Sequence, residues 1–178
     1  MLELIIINGG MGTGKSTLSE LLSSKLIEQN YYLKTDDLIW GLSSNCKDNF
    51  NGQAFIFEMA KSMIKTSLLG GISIIVEKVM NATQVAQIIA IGKQFYVEIL
   101  HIVLKLSLGE AISRITVRKL ENNSKITDEY LERVKKSHEN TAEIIAMSHN
   151  KLIFSIEKQT SVQICDLVID QIYSDNLV

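Results

Sequence analysis

The sequence has no proline, only two cysteines and few aromatic residues, which make up 6% of its 178 residues. Cys46 and Cys165 lie far apart and match neither the spacing of a metal site nor that of a redox motif. We therefore expect both thiols to be free, as is usual for proteins of a reducing cytoplasm.

The chain has neither a large net charge nor a long apolar run. The net charge of −2 provides no general attraction for nucleic acids or anionic membranes, so we expect neither as a partner. The apolar runs are shorter than a membrane span, and Glu3 interrupts the first of them, which argues against a signal peptide. These features favour a cytoplasmic protein with no membrane association, and they leave a monomer and a homodimer both open.

The strongest positive signal is the stretch IIINGGMGTGKST, which runs from Ile5 to Thr17. It contains the complete G-x-x-x-x-G-K-[ST] pattern of a phosphate-binding loop, or P-loop. An apolar run precedes the loop, as a buried strand would, and leucines at helical spacing follow it. A glycine-rich turn without a ligand is the alternative, but this strand–loop–helix order favours a nucleotide-binding protein.

The residue types of the loop suit a polyphosphate. Glycines remove Cβ atoms so that backbone N–H groups can wrap the phosphates, and the helix that follows adds the positive end of its dipole. Lys15 supplies a mobile charge for the β and γ phosphates, and the Ser16 hydroxyl is a ligand for magnesium. We therefore expect ATP and Mg²⁺ as cofactors. The predicted nucleotide-binding residues are Gly9, Gly10, Met11, Gly12, Thr13, Gly14, Lys15, Ser16 and Thr17.

Strand-like and helix-like segments alternate along the whole chain, and no linker or repeat divides it. This alternation predicts one domain over residues 1–178, with a parallel five-stranded sheet between helices in three α/β/α layers. After the first strand, the predicted strands are Tyr31–Thr35, Ile72–Val76, Val97–Leu106 and Leu152–Ile156. A helix is predicted at Phe55–Leu69, after a polar segment, Ser43–Gly52, that we expect to be a mobile loop. Capping-box spacing marks three further helix starts, at Asn81 with Gln84, Ser107 with Glu110, and Thr160 with Gln163.

Carboxylates follow the second and third predicted strands. Asp36 and Asp37 come after one, and Glu77 ends the other. Ligands of open parallel sheets bind beyond the carboxyl ends of the strands, so these residues are candidates for one site with the loop. Either aspartate can orient an acceptor hydroxyl, and Glu77, Asp37 and Ser16 are candidate magnesium ligands, directly or through water. The aspartates also suit the start of a helix, and both roles can coexist.

Arg114 and Arg118 lie four residues apart on a predicted helix and therefore share one face. Arginines on a closing element can neutralise the charge of a phosphoryl group in transfer. A surface ion pair with Glu110, four residues before Arg114, is the equally weighted alternative. His138 and His149 fall on or near a long helix, and we expect both to face solvent.

The sequence resembles the small P-loop kinases, which include gluconate kinase, shikimate kinase, chloramphenicol phosphotransferase, zeta-toxin-like kinases and the kinase half of polynucleotide kinases. The resemblance covers nearly the whole chain and rests on GGMGTGKST, KTDDLIW, GGISIIVE and LGEAISRITVRK. It implies the sheet order 2-3-1-4-5 and a small helical lid at about residues 108–135. It also implies that Asp36 activates the acceptor, with Asp37 as the alternative, and that Arg114 and Arg118 are lid arginines.

Together these features predict an ATP- and magnesium-dependent phosphotransferase that acts on a hydroxyl group of a small molecule. The predicted catalytic residues are Lys15, Asp36, Arg114 and Arg118. Two alternatives stay open. The lack of a recognisable acceptor motif favours an ATP-binding regulatory protein with little phosphotransfer. The Asp36–Asp37 pair also occurs in polynucleotide kinases, which favours a kinase of nucleic-acid 5′-hydroxyl groups.

Overall fold

Five strands form one parallel sheet in the computed structural model, which describes residues 2–43 and 50–174. They are β1 (Glu3–Gly9), β2 (Asn30–Lys34), β3 (Ser73–Glu77), β4 (Glu98–Lys105) and β5 (Leu152–Ser155). Their order is β2-β3-β1-β4-β5, as predicted. Cys46 and most of the polar segment Ser43–Gly52 lie outside the described residues.

Helices follow the strands. Those within the described residues are α1 (Lys15–Lys25), α2 (Thr35–Trp40), α3 (Phe50–Leu69), α4 (Ala82–Gln94), α5 (Leu108–Glu121), α6 (Asp128–Ala146) and α7 (Ser161–Ser174). Helix α3 begins at Phe50, ahead of the predicted start at Phe55, so the prediction of a loop was wrong for Gly52. None of the helices in residues 2–43 and 50–174 is both long and apolar enough to cross a membrane.

The helices cover both faces of the sheet, which gives the predicted three-layer α/β/α architecture. Alternate residues of β1 point to opposite faces, so Leu4 and Ile6 pack with α3, α4 and α6, whereas Ile5 and Ile7 pack with α1 and α7. All seven residues of β1 are buried, as expected for the central strand of a parallel sheet. Cys165 is a free, buried thiol in the second of these layers.

Two of the three predicted capping boxes form. Asn81 and Gln84 exchange side-chain and backbone hydrogen bonds, and so do Thr160 and Gln163. The prediction for Ser107 was wrong, since its side chain caps nothing and Glu110 pairs with an arginine instead. The backbone N–H of Ser107 donates to the carboxylate of Glu157 at 3.0 Å, so a tertiary contact holds this residue.

Glu3 lies at the amino end of β1 and is only 7% exposed. Burial, followed by repulsion from Glu28, raises its pKa from 4.5 to about 7. Because folding disfavours its ionised form, Glu3 lowers stability increasingly as the pH rises from 4.5 to 7, and fully above pH 7.

We therefore expect Glu3→Gln to raise the free energy of unfolding by about 1–3 kcal/mol at pH 8 and to change it little at pH 4.5. Urea titrations at the two pH values measure this difference. Glu121→Gln is the control, because Glu121 is exposed on the last turn of α5, whereas Glu98, opposite Glu3 on β4, itself helps to raise the Glu3 pKa. An equal effect of Glu3→Gln at both pH values would contradict the expectation.

Candidate active site

A cleft of about 280 Å³ lies beyond the carboxyl ends of β1, β2 and β3. It brings together most of the predicted site residues, although they are distant in sequence. Its lining consists of Met11, Gly12, Gly14, Lys15, Ser16, Thr17, Lys34, Asp36, Glu77, Lys78, Val79, Arg114, Ile115 and Arg118. The remaining predicted loop residues, Gly9, Gly10 and Thr13, shape the loop without lining the cleft.

The loop between β1 and α1 is held by contacts within itself. Gly12 and Gly14 adopt left-handed backbone angles, with φ of +84° and +81°, which side-chain-bearing residues rarely take. The Thr13 hydroxyl donates to the Gly10 carbonyl at 2.9 Å, and α1 begins at Lys15. The first N–H groups of this helix therefore point towards the cleft, which makes its start suitable for an anion.

Lys15 is buried, and its ammonium group donates to the Gly10 carbonyl at 2.9 Å. Burial lowers its pKa to about 8, against the opposing effects of Glu77 and Asp36. A polyphosphate in the cleft would favour the charged form of this side chain and exchange a carbonyl partner for a stronger anionic one.

Glu77 is the last residue of β3, and its carboxylate accepts two hydrogen bonds. The Ser16 hydroxyl donates to its Oε1 atom at 2.8 Å, and the Tyr32 hydroxyl donates to its Oε2 atom. The Tyr32 contact was not predicted. The position of Tyr32, two residues before the end of β2, was the feature of the sequence that could have indicated it. Burial, and then the Glu77 contact, raise the pKa of Tyr32, so its phenol stays a donor.

The oxygens of Ser16 and Glu77 are of the hard type that magnesium prefers, and they lie beside the loop. No group of three or more His, Cys, Asp or Glu side chains in residues 2–43 and 50–174 is arranged to hold a metal ion. The residues present therefore fit a cation that takes its other ligands from nucleotide phosphates and water.

The two aspartates occupy the first turn of α2 but differ in position. Both are exposed, but Asp36 lines the cleft and Asp37 does not belong to the lining. The turn is anchored by Thr35, whose hydroxyl donates to the Glu77 carbonyl at 3.1 Å. The ends of β2 and β3 are thus tied together, and of the two aspartates Asp36 is the one on the cleft. A catalytic role for either stays a prediction.

Both arginines of α5 line the cleft, and both are exposed. The Nε atom of Arg114 also donates to the Glu110 carboxylate at 2.8 Å, four residues earlier on the helix. The surface ion pair and a contact with phosphate are therefore compatible roles for Arg114. An exposed i,i+4 ion pair contributes little to stability, so Arg114 can exchange Glu110 for a phosphate. Their action as lid arginines stays a prediction.

Helix α6 holds the phosphate-binding loop from behind, a contact that was not predicted. The expectation that His138 faces solvent was wrong, because its Nε2 atom donates to the Met11 carbonyl at 3.0 Å. The Met11 N–H donates to the Ser137 hydroxyl at 2.9 Å, so both backbone groups of Met11 are bound to one helix. A Cβ atom at Gly10 would come within 2.5 Å of the His138 ring, so a larger residue there would displace His138 from its contact with the loop.

A sequence signal for this contact existed. Ser137, His138 and Thr141 recur at helical spacing between Val134 and Ile144, so they continue the buried face of α6 with polar side chains. The stripe is polar in its middle because that part of the helix faces the loop rather than apolar side chains.

His149 does not face solvent either. Its ring stacks on that of His101 with centroids 4.9 Å apart, and His101 Nδ1 and His149 Nε2 are 2.6 Å apart. Burial lowers the pKa of both, that of His101 to about 3, so the pair is neutral and belongs to the packing of β4.

Two lysines in the lining were also not predicted. Lys34 is the last residue of β2, and Lys78 directly follows β3. Both are half-buried, and burial lowers the pKa of Lys78, an effect that Asp36 opposes. Composition gave no signal for them, because isolated lysines usually lie on the surface.

Residues 5–146 match the sequence profile of the AAA domain family. No curated protein matches the sequence significantly. A gluconokinase from Sinorhizobium meliloti 1021 has a similar structure, with a TM-score of 0.67, 10% identity and 97% of each chain covered. The APS kinase of Mycobacterium tuberculosis, solved with AMPPNP and APS, gives a TM-score of 0.64 at 16% identity over 97% of this chain and 98% of that one.

A chain of the Pnkp1/Rnl/Hen1 RNA repair complex is also similar, with a TM-score of 0.63 and 19% identity. The match covers 80% of this chain and 45% of that one. At these identities the similarity establishes the fold, which is the one predicted from the resemblance.

We expect His138→Ala to weaken binding of ATP with magnesium by about 3–10-fold, because one hydrogen bond that restrains the loop is lost. Isothermal titration calorimetry on protein of verified thermal stability measures the effect. Glu139→Ala is the matched control, since Glu139 is the exposed neighbour of His138 on the same helix. Unchanged affinity of folded His138→Ala protein would show that the contact does not shape the loop.

Proposed function

We propose that this chain, which belongs to the AAA domain family, is an ATP- and magnesium-dependent phosphotransferase that acts on a hydroxyl group of a small molecule. The observation that carries the proposal is the convergence of the phosphate-binding loop, Asp36 and Glu77 on one cleft. A phosphoryl donor, a cation and an acceptor hydroxyl must meet within such a space.

In this proposal the loop, Gly9 to Thr17, holds the ATP phosphates through those of its residues that line the cleft. The N–H groups at the start of α1 and the Lys15 ammonium contact them, with Met11 positioned by α6. Ser16 and Glu77 hold magnesium, directly or through water, which would neutralise charge on the phosphates. The Tyr32 hydroxyl keeps the Glu77 carboxylate oriented towards Ser16.

Asp36 is the acceptor carboxylate of the proposal. It is the aspartate on the cleft wall and has access to a hydroxyl group that enters from solvent. A carboxylate there orients the hydroxyl and accepts its proton as the phosphoryl group transfers. Arg114 and Arg118 approach from α5 and neutralise the equatorial phosphoryl oxygens.

A second candidate is a kinase of nucleic-acid 5′-hydroxyl groups. The similarity to a chain of an RNA repair complex favours it, as does the Asp36–Asp37 pair. The net charge of −2 argues against it, because proteins that bind nucleic acids usually carry basic patches. Phosphorylation of a 5′-hydroxyl oligonucleotide, compared with a panel of small alcohols, separates the two candidates.

The first test is calorimetric titration with ATP and magnesium. We expect the wild type to bind and Lys15→Ala to lose most of that affinity, because the change removes the charge that contacts the phosphates. Lys25→Ala, on the exposed last turn of the same helix, is the control and is expected to bind like the wild type. Absence of binding by the wild type, or unaltered binding by Lys15→Ala, would contradict the proposal.

The second test compares neighbouring aspartates. Asp36→Asn is expected to leave ATP affinity nearly unchanged and to lower kcat and kcat/KM together by about 10²–10⁴-fold, the usual contribution of a positioned general base. Asp37→Asn, the matched control, is expected to be much milder, because Asp37 acts mainly on the first turn of α2. Acceptor-dependent ADP release measures both.

If Asp37→Asn abolishes turnover and Asp36→Asn does not, the assignment is wrong by one residue. If neither changes turnover, the kinase proposal loses its chemical basis and the regulatory alternative replaces it.

A further inference from the structure

A second cavity lies at the opposite end of the sheet from the candidate active site. Its volume is about 470 Å³, which is within the usual range for pockets that bind small molecules. The amino ends of β1, β4 and β5 and the last turn of α7 form its walls. The residues that matter below are Glu3, Glu98, Leu100, Leu152 and Gln171. The proposed function uses none of them.

Glu3 reaches this cavity through its side chain. The backbone of β1 is covered on both edges, by β3 and by β4, so it is not open to a cavity. Residues 3, 5 and 7 of β1 project to one face of the sheet, where Ile5 and Ile7 pack with α1 and α7. Gln171 and Ile172 of α7 line the cavity on that same face. The Glu3 carboxyl group therefore projects to the cavity and not into the opposite layer.

The Glu3 carboxyl group has no partner within residues 2–43 and 50–174. The residue is only 7% exposed, yet no hydrogen bond reaches its carboxyl oxygens there, and no cationic nitrogen lies within 4.0 Å of them. Lys151 also lines the cavity, but its ammonium group donates to the Met147 carbonyl at 2.5 Å. A buried carboxyl group without a partner destabilises a fold, and a ligand that donates to it would remove this cost.

The surroundings of Glu3 favour a positively charged ligand with an apolar part. Burial, and then repulsion from Glu28 and Glu98, raise the pKa of Glu3 to about 7, and a bound cation would favour its ionised form. Glu98 is the residue in register with Glu3 on β4 and is exposed at the rim of the cavity. Leu100 and Leu152 project to the same face as Glu3 and supply apolar surface.

We propose that this cavity binds a small organic cation, an alkylammonium compound whose ammonium group donates to the Glu3 carboxylate and whose carbon chain packs on Leu100 and Leu152. The exposed Glu98 carboxylate adds negative charge at the entrance. An uncharged alcohol of the same length would lack the charge-assisted hydrogen bond, and a carboxylate would be repelled. The site does not depend on the proposed function, because the two cavities lie at opposite ends of β1.

Calorimetric titration with n-butylammonium, 1-butanol and butyrate at pH 8 tests the charge that the site selects. We expect the wild type to bind n-butylammonium at millimolar concentration, and 1-butanol and butyrate about 10-fold more weakly or less. A charge-assisted hydrogen bond usually contributes a factor of that size.

Glu3→Gln removes the charge of Glu3 at nearly unchanged size, and the variant is expected to fold because the change stabilises the protein at this pH. We expect it to weaken n-butylammonium binding by about 10-fold or more. Glu121→Gln, on the exposed last turn of α5, is the control and is expected to bind n-butylammonium like the wild type.

A second variant tests the cavity without altering Glu3. Gln171→Trp places a larger side chain at the cavity wall, and we expect it to abolish n-butylammonium binding. Leu167→Trp is the matched control, because Leu167 is exposed on the same helix, one turn earlier, and does not line the cavity. Thermal unfolding verifies that both variants are folded.

Absence of n-butylammonium binding by the wild type overturns the proposal, and so does equal affinity for n-butylammonium and 1-butanol. Undiminished binding by folded Glu3→Gln shows that the cation binds elsewhere on the surface, and undiminished binding by folded Gln171→Trp shows that it does not enter this cavity. Either result overturns the site.

Discussion

The central strand β1 constrains every other part of the site. It is hydrogen-bonded to β3 on one edge and β4 on the other, and all of its side chains are buried. A strand held on both edges and both faces cannot shift without breaking two ladders, so the loop that leaves its carboxyl end starts from a fixed point. Because the strands are parallel, the ends of β2 and β3 lie at the same edge, and Lys34, Asp36 and Glu77 follow from that geometry.

Contacts between side chains then join elements that the sheet only brings close. The Ser16–Glu77 hydrogen bond connects α1 to β3, and the Thr35 hydroxyl connects α2 to the same residue through its carbonyl. On the opposite side, Ser137 and His138 of α6 bind both backbone groups of Met11. The protein's own contacts thus position the loop, which lowers the cost of ordering it when phosphates bind.

The electrostatics of the cleft divide it into two parts. Lys15 and the α5 arginines surround the loop, while Lys34, Lys78 and Asp36 lie towards β2 and β3. Burial in this wall lowers the pKa of Lys78, and the Asp36 carboxylate opposes that effect. The proposed function assigns the part near the loop to the phosphoryl donor and the part near Asp36 to the acceptor.

Local sequence determined much of this protein. The glycine pattern, Lys15 and Ser16 of the loop could be interpreted from the sequence alone. Backbone torsions and the start of a helix depend mainly on neighbouring residues. Alternating segments predicted a parallel sheet between helices, the family resemblance predicted its strand order, and the strand ends located Asp36 and Glu77. The capping signals at Asn81 and Thr160 were reliable for the same reason, as both are local.

Tertiary structure decided what no local pattern contains. Ser107 is held by Glu157, which is fifty residues away, rather than by its own box, and His138 binds a loop 127 residues earlier in the chain. Tyr32 and Lys34 belong to the site because β2 pairs with β3, and Lys78 because β3 pairs with β1. A sequence specifies which groups a helix or strand presents, but the partner of each group is set by packing, and packing depends on distances between elements that sequence order does not show.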